Sequence, residues 1–553
     1  MTKGRFFSKI LILLLCVALV VPLLSSCKKN KTTSVKIPLA TVPTCFDPQI
    51  SYGTNEENII NNCLEGLVRI DKNGNITNGV ASSWAVSSNG LAYTFTLRSD
   101  AKWHLPSDLE DILGEDYKKT FDTRVTAYDF AFGITRGMDP ETDSPMADSL
   151  SCIQSVSAEN DTKLVITLKH PNVNFLTVLA SPVAMPCNEN FFEATAGRYG
   201  LKANLLLCNG PYYLGSIDEE NGIVIYKNSD YKGSCTALFS TGKFLTTKSF
   251  LSSSAKEKSN DEKTLPSVFS LLTSKDGGYD IATVTKAESE ALSSDFTVDR
   301  YKNTVKAFCF NLHNDALNNY NIRMALAHAT NPELFTGDYP LAEGIVPSCC
   351  GRAAGVSYRS EGNIIKAPAY DLSTAESFYK KAVQNNLDED GKQTELSLNL
   401  SLFCLKEDET DVKRVLQDWQ KIFGVSLSIT VTACDTQAEV DTAVESGNFD
   451  VAYTSVTASE FLATDFLGRF VSSSGKNIVG LNDSTYDELV SKAINAASEE
   501  ELIRLTRDAE ARLLQSGCLL PTCSADGYLA KNRNAEKVTV RPSGNIYALY
   551  TLK

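Results

Sequence analysis

Histidine is scarce in this chain. There are four in 553 residues, His104, His170, His313 and His328, and no two stand four apart or in an HExxH pair. That removes the helical zinc-peptidase motif. His104 follows Trp103 at a strand end and His170 precedes Pro171 at a turn, so structural or surface roles suit them. A G-x-S-x-G elbow, a GxxxxGK[ST] loop and a G-x-G-x-x-G fingerprint are also missing. The motifs of serine hydrolases, P-loop enzymes and dinucleotide-binding enzymes therefore have no foothold. Acidic pairs such as Glu110-Asp111 and Glu219-Glu220 sit in polar stretches and read as solvated turns. No CxxC and no zinc-like Cys/His spacing occurs, and nothing implies a metal or cofactor. Basic residues are in the minority, 53 against 67 acidic, a net charge of −14. Nucleic acid is disfavoured as a partner, because phosphate binding needs concentrated Lys and Arg. Past residue 24 no stretch approaches eighteen uncharged apolar residues, so the body carries no hydrophobic spanning segment.

What is present begins with Lys3, Arg5 and Lys9, then fifteen uncharged residues from Ile10 to Leu24. Such a helix rises roughly 22 Å, short of the roughly 30 Å bilayer core. A basic start, a short apolar run and small residues describe a secretory signal. "LLSSCKKN" ends it, and Leu24-Ser25-Ser26-Cys27 resembles the bacterial lipobox. The resemblance implies cleavage after residue 26 and a lipid thioether on Cys27, with 27–35 as a polar tether. Such acyl chains anchor a protein stably to a membrane. Cleavage removes three basic and no acidic side chains, leaving −17. Of fifteen cysteines, Cys16 leaves with the signal and Cys27 is lipidated. The remaining thirteen are scattered and odd in number, which favours buried free thiols over a disulfide framework.

The body alternates strands and helices. Turn signals at Asn73-Gly74 and Asn89-Gly90 predict hairpins, and Tyr93, Phe95 and Leu97 alternate with polar neighbours as in a strand. Thr126 with Asp129 predicts a capped helix start, as does Ser498 with Glu501 ahead of Leu502, Leu505, Ala509 and Leu513. "TELSLNLSLFCL", "TDVKRVLQDWQKIF" and "VSLSITVTA" predict a βαβ unit. "VKAFCFN", 305–311, reads as a short strand, and "YNIRMALAHAT" as a helix. Residues 235–274, rich in Ser, Thr and Lys without periodicity, read as a surface segment.

Leu64-Glu65-Gly66-Leu67, Ala81 with Trp84, and the Tyr93-to-Trp103 strand lie in one block, "CLEGLVRIDKNGNITNGVASSWAVSSNGLAYTFTLRSDAKW". "VTAYDFAFGITRGMDPETDSP", "NGPYYL", "VLQDWQKIFGVSL" and "SGNFDVAYTS" follow in order. This succession resembles the extracytoplasmic solute-binding proteins of peptide ABC transporters, the oligopeptide- and dipeptide-binding family. The resemblance implies an α/β, bilobal fold of the periplasmic-binding-protein type II-like kind (class C), with mixed sheets and three domains. One lobe would comprise 36–75, 208–305 and 525–553, an accessory domain 76–207, and the other lobe 306–524. The chain would cross near 306 and 524, with the ligand between the lobes. It further implies a non-enzymatic, monomeric receptor that hands peptides to ABC permease and ATPase subunits.

By the same resemblance, Tyr52, Gly53 and Thr54 make one strand-like contact to the peptide. The opposite contact falls on Ser455, Val456, Thr457, Ser459 and Glu460. There Val456 stands where the family often has Trp, and Ser459 where it has the Asp that pairs with the peptide ammonium. Glu460 is adjacent but on the other side of an extended chain, and Asp465 is a further candidate. Met146 stands where some members place a pocket tyrosine. Relatives also bind nickel complexes, haem, sugars or opines, so another solute stays open, as does a signalling or adhesion role.

Overall fold

The computed structural model describes residues 33–51, 53–116, 121–249, 266–275, 277–337, 339–353, 356–360, 362, 364–386, 394–459, 461–544 and 546–552. The signal segment and Cys27 lie outside these residues, as do Tyr52 and Glu460. Ser34 and Val35, grouped with the tether from sequence, are the first residues of a strand, Ser34–Pro38.

That strand pairs in parallel with Thr241–Leu245, and Gly222–Lys227 and Tyr212–Asp218 complete a four-stranded sheet. Its alternating Val35, Ile37, Ile223, Ile225 and Phe244 are fully buried. The Thr241–Leu245 strand falls within the stretch that reads as a surface segment. "TGKFL" is too short to show a period, and its pairing with both neighbours, not its own pattern, makes it a strand. A second four-stranded sheet, Ala81–Val86, Ala92–Leu97, Lys163–Leu168 and Ile153–Asn160, is wholly antiparallel. Gly90 takes φ +69 in its first turn, as an Asn-Gly hairpin requires. Helix Ala127–Met138 carries the expected reciprocal Thr126/Asp129 capping box. Both sheets, this helix and helix Thr54–Cys63 contribute to one apolar core.

The third sheet has six strands in the order Ile281–Val284, Leu519–Asn532, Phe296–Phe310, Val451–Thr457, Leu398–Leu405 and Leu427–Cys434. Two of these are long, Phe296–Phe310 with 15 residues and Leu519–Asn532 with 14, and they pair antiparallel. The sequence exposes only the apolar half of the first, because Asp299, Arg300, Lys302 and Asn303 break the apolar pattern of the rest. Along it the packing changes hands. Phe296 and Val298 pack with Tyr528 and Ala530, whereas Val305 to Phe310 enter two other cores made of residues 305–523. Register shifts fall at this changeover, between Tyr301 and Thr304 and again after Lys306. The βαβ unit is present: Leu398–Leu405 and Leu427–Cys434 are parallel, joined by helix Glu409–Phe423, which buries Val412, Val415 and Trp419.

Helix Glu499–Gln515 buries Leu502, Leu505, Ala509 and Leu513 as expected. Ser498 accepts from Glu501 N, but the Glu501 carboxylate reaches back to Ala497 N, so the cap is offset by one residue. On this helix Glu510 is fully buried and accepts from Arg359 Nη1 at 3.0 Å, Tyr358 Oη at 3.0 Å and Val346 N at 3.0 Å. The thirteen described cysteines are free thiols, all buried except the half-buried Cys45 and Cys349. Among the described residues no helix is long and apolar enough to cross a membrane.

Candidate functional site

The first candidate segment is the start of helix Thr54–Cys63. Gly53 precedes it with φ +156, and a Cβ there would fall 2.4 Å from the Glu56 carboxylate. The Gly53 carbonyl accepts from Glu57 N at 2.9 Å and opens the helix. Gly53 and Thr54 are half-buried, and the first-turn amides point outward as in any helix start. Side chains on the inner face hold the helix in place. Asn58 accepts from Tyr547 N at 2.7 Å, Asn62 from Leu549 N at 2.9 Å, and Glu57 pairs with Arg541 at 2.6 Å.

The second segment ends the strand Val451–Thr457, in register with the long strand: Thr457 faces Thr304, Val456 faces Val305 and Ser455 faces Lys306. The period-2 rule divides these residues. Val456 is 2% exposed and packs in the core with Val305. Ser455 and Thr457 take the other face, where Thr457 Oγ1 meets Thr304 Oγ1 at 2.9 Å. Beside Ser455, the largely buried Lys306 ammonium reaches Asp408 at 2.8 Å and Glu407 at 3.2 Å. Burial works against that ammonium, but the two carboxylates outweigh it and hold its pKa up. Burial pushes the Asp408 carboxyl up, and Lys306 opposes the shift.

Beyond the strand, the Thr457 carbonyl accepts from Arg469 Nη1 at 2.8 Å, and Ala458 N donates to Asn303 O at 2.8 Å. Gly351 N donates to Phe461 O at 2.7 Å and fixes the far side of the turn. Ser459 is half-buried in this turn, and Asp465 is exposed in the first turn of helix Ala463–Gly468. Met146 precedes a short 3-10 turn, Ala147–Leu150, and packs partly buried against the core of the first two sheets.

Ser455, Thr457 and Ser459 thus follow one another at the end of this strand with Val456 turned into the core, whereas Gly53 and Thr54 sit at a helix start and Met146 packs against the core that this helix shares. Asn303 joins the first two. Its carbonyl holds Ala458, its Oδ1 accepts from Thr304 Oγ1 at 3.2 Å, and its Nδ2 donates to Ser543 O at 2.8 Å. Ser543 lies in the segment whose Arg541 and Tyr547 brace helix Thr54–Cys63. A second connection bypasses the long strands. Val173 N donates to Ala496 O and Asn172 Nδ2 to Ile494 O, both at 3.1 Å. Nothing in local sequence pattern marks Asn303, Arg469, Lys306 or Asn172, since each acts on residues remote in the chain.

The histidines stay outside this arrangement. His104 stacks on Tyr213 with centroids 3.7 Å apart, and His328 Nδ1 lies 2.7 Å from Ala369 O. Among the described residues no group of three or more His, Cys, Asp and Glu side chains gathers as metal ligands would.

Comparison with known proteins decides the family. The family described as bacterial extracellular solute-binding proteins, family 5 Middle, matches residues 75–478, more than half of the chain. The chain belongs to this solute-binding family. Over 525 residues it is 23% identical to the dipeptide-binding protein DppE of Bacillus subtilis, covering 91% of this chain and 89% of that one. The fold is similar to that of a dipeptide-binding protein from Pseudoalteromonas sp. SM9913 in complex with Met-Leu. Its TM-score is 0.69 at 18% identity, over 94% of this chain and 100% of that one. It is similar also to NikZ from Campylobacter jejuni in complex with Ni(L-His), TM-score 0.68 at 19% identity, over 93% and 99% of the two chains. The mixed α/β architecture is accordingly that of the periplasmic-binding-protein type II-like fold.

Proposed function

We propose that this member of the family is the lipid-anchored, peptide-capturing component of an ABC importer. The observation that carries the reading is the pair of long strands, Phe296–Phe310 and Leu519–Asn532, along which the chain leaves one set of cores and returns to it. Two crossings with register shifts between separately packed bodies suit a hinge that opens and closes on a ligand. On the domain division read from the sequence, Gly53 and Thr54 would lie on one side and Ser455, Thr457 and Ser459 on the other. An extended peptide would lie between them as an added strand, held by main-chain bonds that tolerate varied side chains. Kinship with the dipeptide-binding DppE supports peptide as ligand. Closure would then present both lobes to permease subunits, and a lipid on Cys27 would keep the receptor beside them.

Thermal denaturation with a panel of di- to hexapeptides tests this. A ligand at a hundredfold excess over Kd stabilises by about 2.7 kcal/mol, so a binding peptide raises the melting temperature clearly. If no peptide does, while a sugar or a nickel–histidine complex does, the reading fails. One observation favours such a second ligand class: Ser459 stands where the family's ammonium-pairing Asp is expected, and a nickel-complex binder shares the fold.

A further inference from the structure

A cavity of about 500 Å³ lies at the other end of the strands that carry Ser455 and Thr457. Phe310 pairs with Val451 at that end, six residues or about 20 Å along the strand from the Thr304–Thr457 pair. His313, the stretch from Gly480 to Asp483, Arg512 and Arg323 line the cavity. Arg323 is 6% exposed. Its Nε donates to Ser516 O at 3.0 Å, and its Nη1 to Leu317 O at 2.7 Å and Asn318 O at 2.8 Å. Its Nη2 has no hydrogen bond, and no carboxylate pairs with the guanidinium, among the described residues. An arginine this deeply placed normally faces an acid, because a desolvated guanidinium costs free energy unless it is paired.

Arg512 adds a second guanidinium. Its Nε is taken by Asp483 at 2.7 Å, which leaves its two terminal nitrogens. Among the described residues Asp483 is the only acid lining the cavity, and it is committed: besides Arg512 it accepts from Thr485 N and Tyr486 N. The lining therefore holds two guanidinium groups against one engaged carboxylate, on a chain of strong net negative charge. His313 and Asn482 supply further polar groups, while Leu312, Leu481 and the exposed Tyr320 supply apolar wall.

We propose that this cavity is a second ligand site, distinct from the interlobe one, and that it takes a small organic carboxylate. A guanidinium matches a planar carboxylate through two parallel N–H···O bonds. The cavity volume falls within the range of small-molecule sites, and the mixture of apolar wall and few convergent polar groups is typical of them. The site does not depend on the peptide reading, since it uses none of the residues assigned to peptide.

Isothermal titration of the protein with succinate, citrate and benzoate tests the site, with chloride at matched ionic strength and inorganic phosphate as controls. At least one carboxylate should bind saturably at one site. Arg512→Gln should weaken it tenfold or more and leave the response to any bound peptide unchanged. Arg512 is the residue of choice because Arg323 also holds three carbonyls, and its loss endangers the fold. Arg323→Lys, which keeps the charge and loses the fork, should weaken binding likewise where the variant melts as wild type does. Absence of saturable binding by all three carboxylates overturns the proposal. So does binding unaffected by Arg512→Gln, or phosphate binding more tightly than every carboxylate.

Discussion

On the proposed hinge, Asn172→Asp is a small change that should favour the open state without touching either candidate binding segment. Asn172 is 3% exposed. Its Oδ1 accepts from Asn174 N at 2.9 Å within its own turn, while its Nδ2 crosses to Ile494 O at 3.1 Å. Ile494 ends helix Ser484–Ile494, so its carbonyl is one of those the helix leaves unsatisfied. Aspartate keeps the first bond and replaces the crossing donor with an acceptor. This arrangement then loses a hydrogen bond and buries an unsatisfied carbonyl, which together cost about 2 kcal/mol. If the lobes open as proposed, both groups return to water and the cost falls on the closed state alone. If closure is what binds ligand, apparent affinity drops about 30-fold, because each 1.4 kcal/mol is tenfold. Small-angle scattering should show a larger radius of gyration, and titration with a peptide that stabilises the wild type should show the weakened Kd. Burial against a carbonyl favours the protonated aspartic acid, which donates again, so lowering the pH toward 5 should restore both measurements toward wild type. A variant that loses thermal stability but keeps wild-type radius and Kd would refute the reasoning, for the contact would then be structural only.

Glu510→Gln should cost about 3–5 kcal/mol in urea unfolding, since it removes the charged member of a buried ion pair with Arg359. Gly53→Ala should cost about 1–3 kcal/mol through its positive φ, and adding Glu56→Ala should not rescue it, because the backbone strain persists when the clash is gone. Burial raises the Asp129 carboxyl to about 6, against an ordinary 3.8. The folded protein therefore holds a proton there that the unfolded chain has released. Its contribution to stability is full below pH 3.8 and is lost as pH rises through 6, a slope that Asp129→Asn should remove from unfolding curves measured across pH 4–6. Burial also raises the thiols, Cys187 to about 12 and Cys518 to about 11. A thiol reagent at pH 8 should modify at most Cys45 and Cys349 quickly in the native protein and the remaining described cysteines only after denaturation.

What the sequence made legible is what a local period or cap can encode. The Asn-Gly turns, the Thr126 cap, the βαβ unit and the Leu502-to-Leu513 face all depend on residues a few positions apart, and all are present. The long strand Phe296–Phe310 shows the limit. Its second half enters two cores and must be apolar, so it reads as a strand; its first half gives only Phe296 and Val298 to a smaller core, and between and beyond them polar residues such as Asp299, which pairs with Lys531 at 2.7 Å, break the pattern. Thr241–Leu245 fails for a related reason, its strand state being imposed by neighbours far away in the chain. The connecting side chains, Asn303 and Asn172, were illegible for the same cause.

The edge at Ser455 to Ser459 sharpens what sequence alignment alone leaves ambiguous. Two departures from the family pattern stand there, Val456 for Trp and Ser459 for Asp, and alignment weighs them equally. Structure separates them. Val456 packs inward against Val305, so a branched aliphatic residue answers the core and says little about ligand. Ser459 lies beyond the strand, in a turn held by Asn303 on one side and Gly351 on the other. If that turn meets the ligand as proposed, the lack of a carboxylate at 459 bears on what can bind, because an ammonium brought out of water needs a partner charge. The cation already at that edge is Arg469, bonded to the Thr457 carbonyl, and the exposed acid nearest in sequence among the described residues is Asp465. A peptide with a free amino terminus would thus have to find its counter-charge away from position 459, whereas a ligand without an ammonium meets no such demand. On the proposed peptide contact, the identity of the ligand would turn on the charge at this turn far more than on the residue at 456.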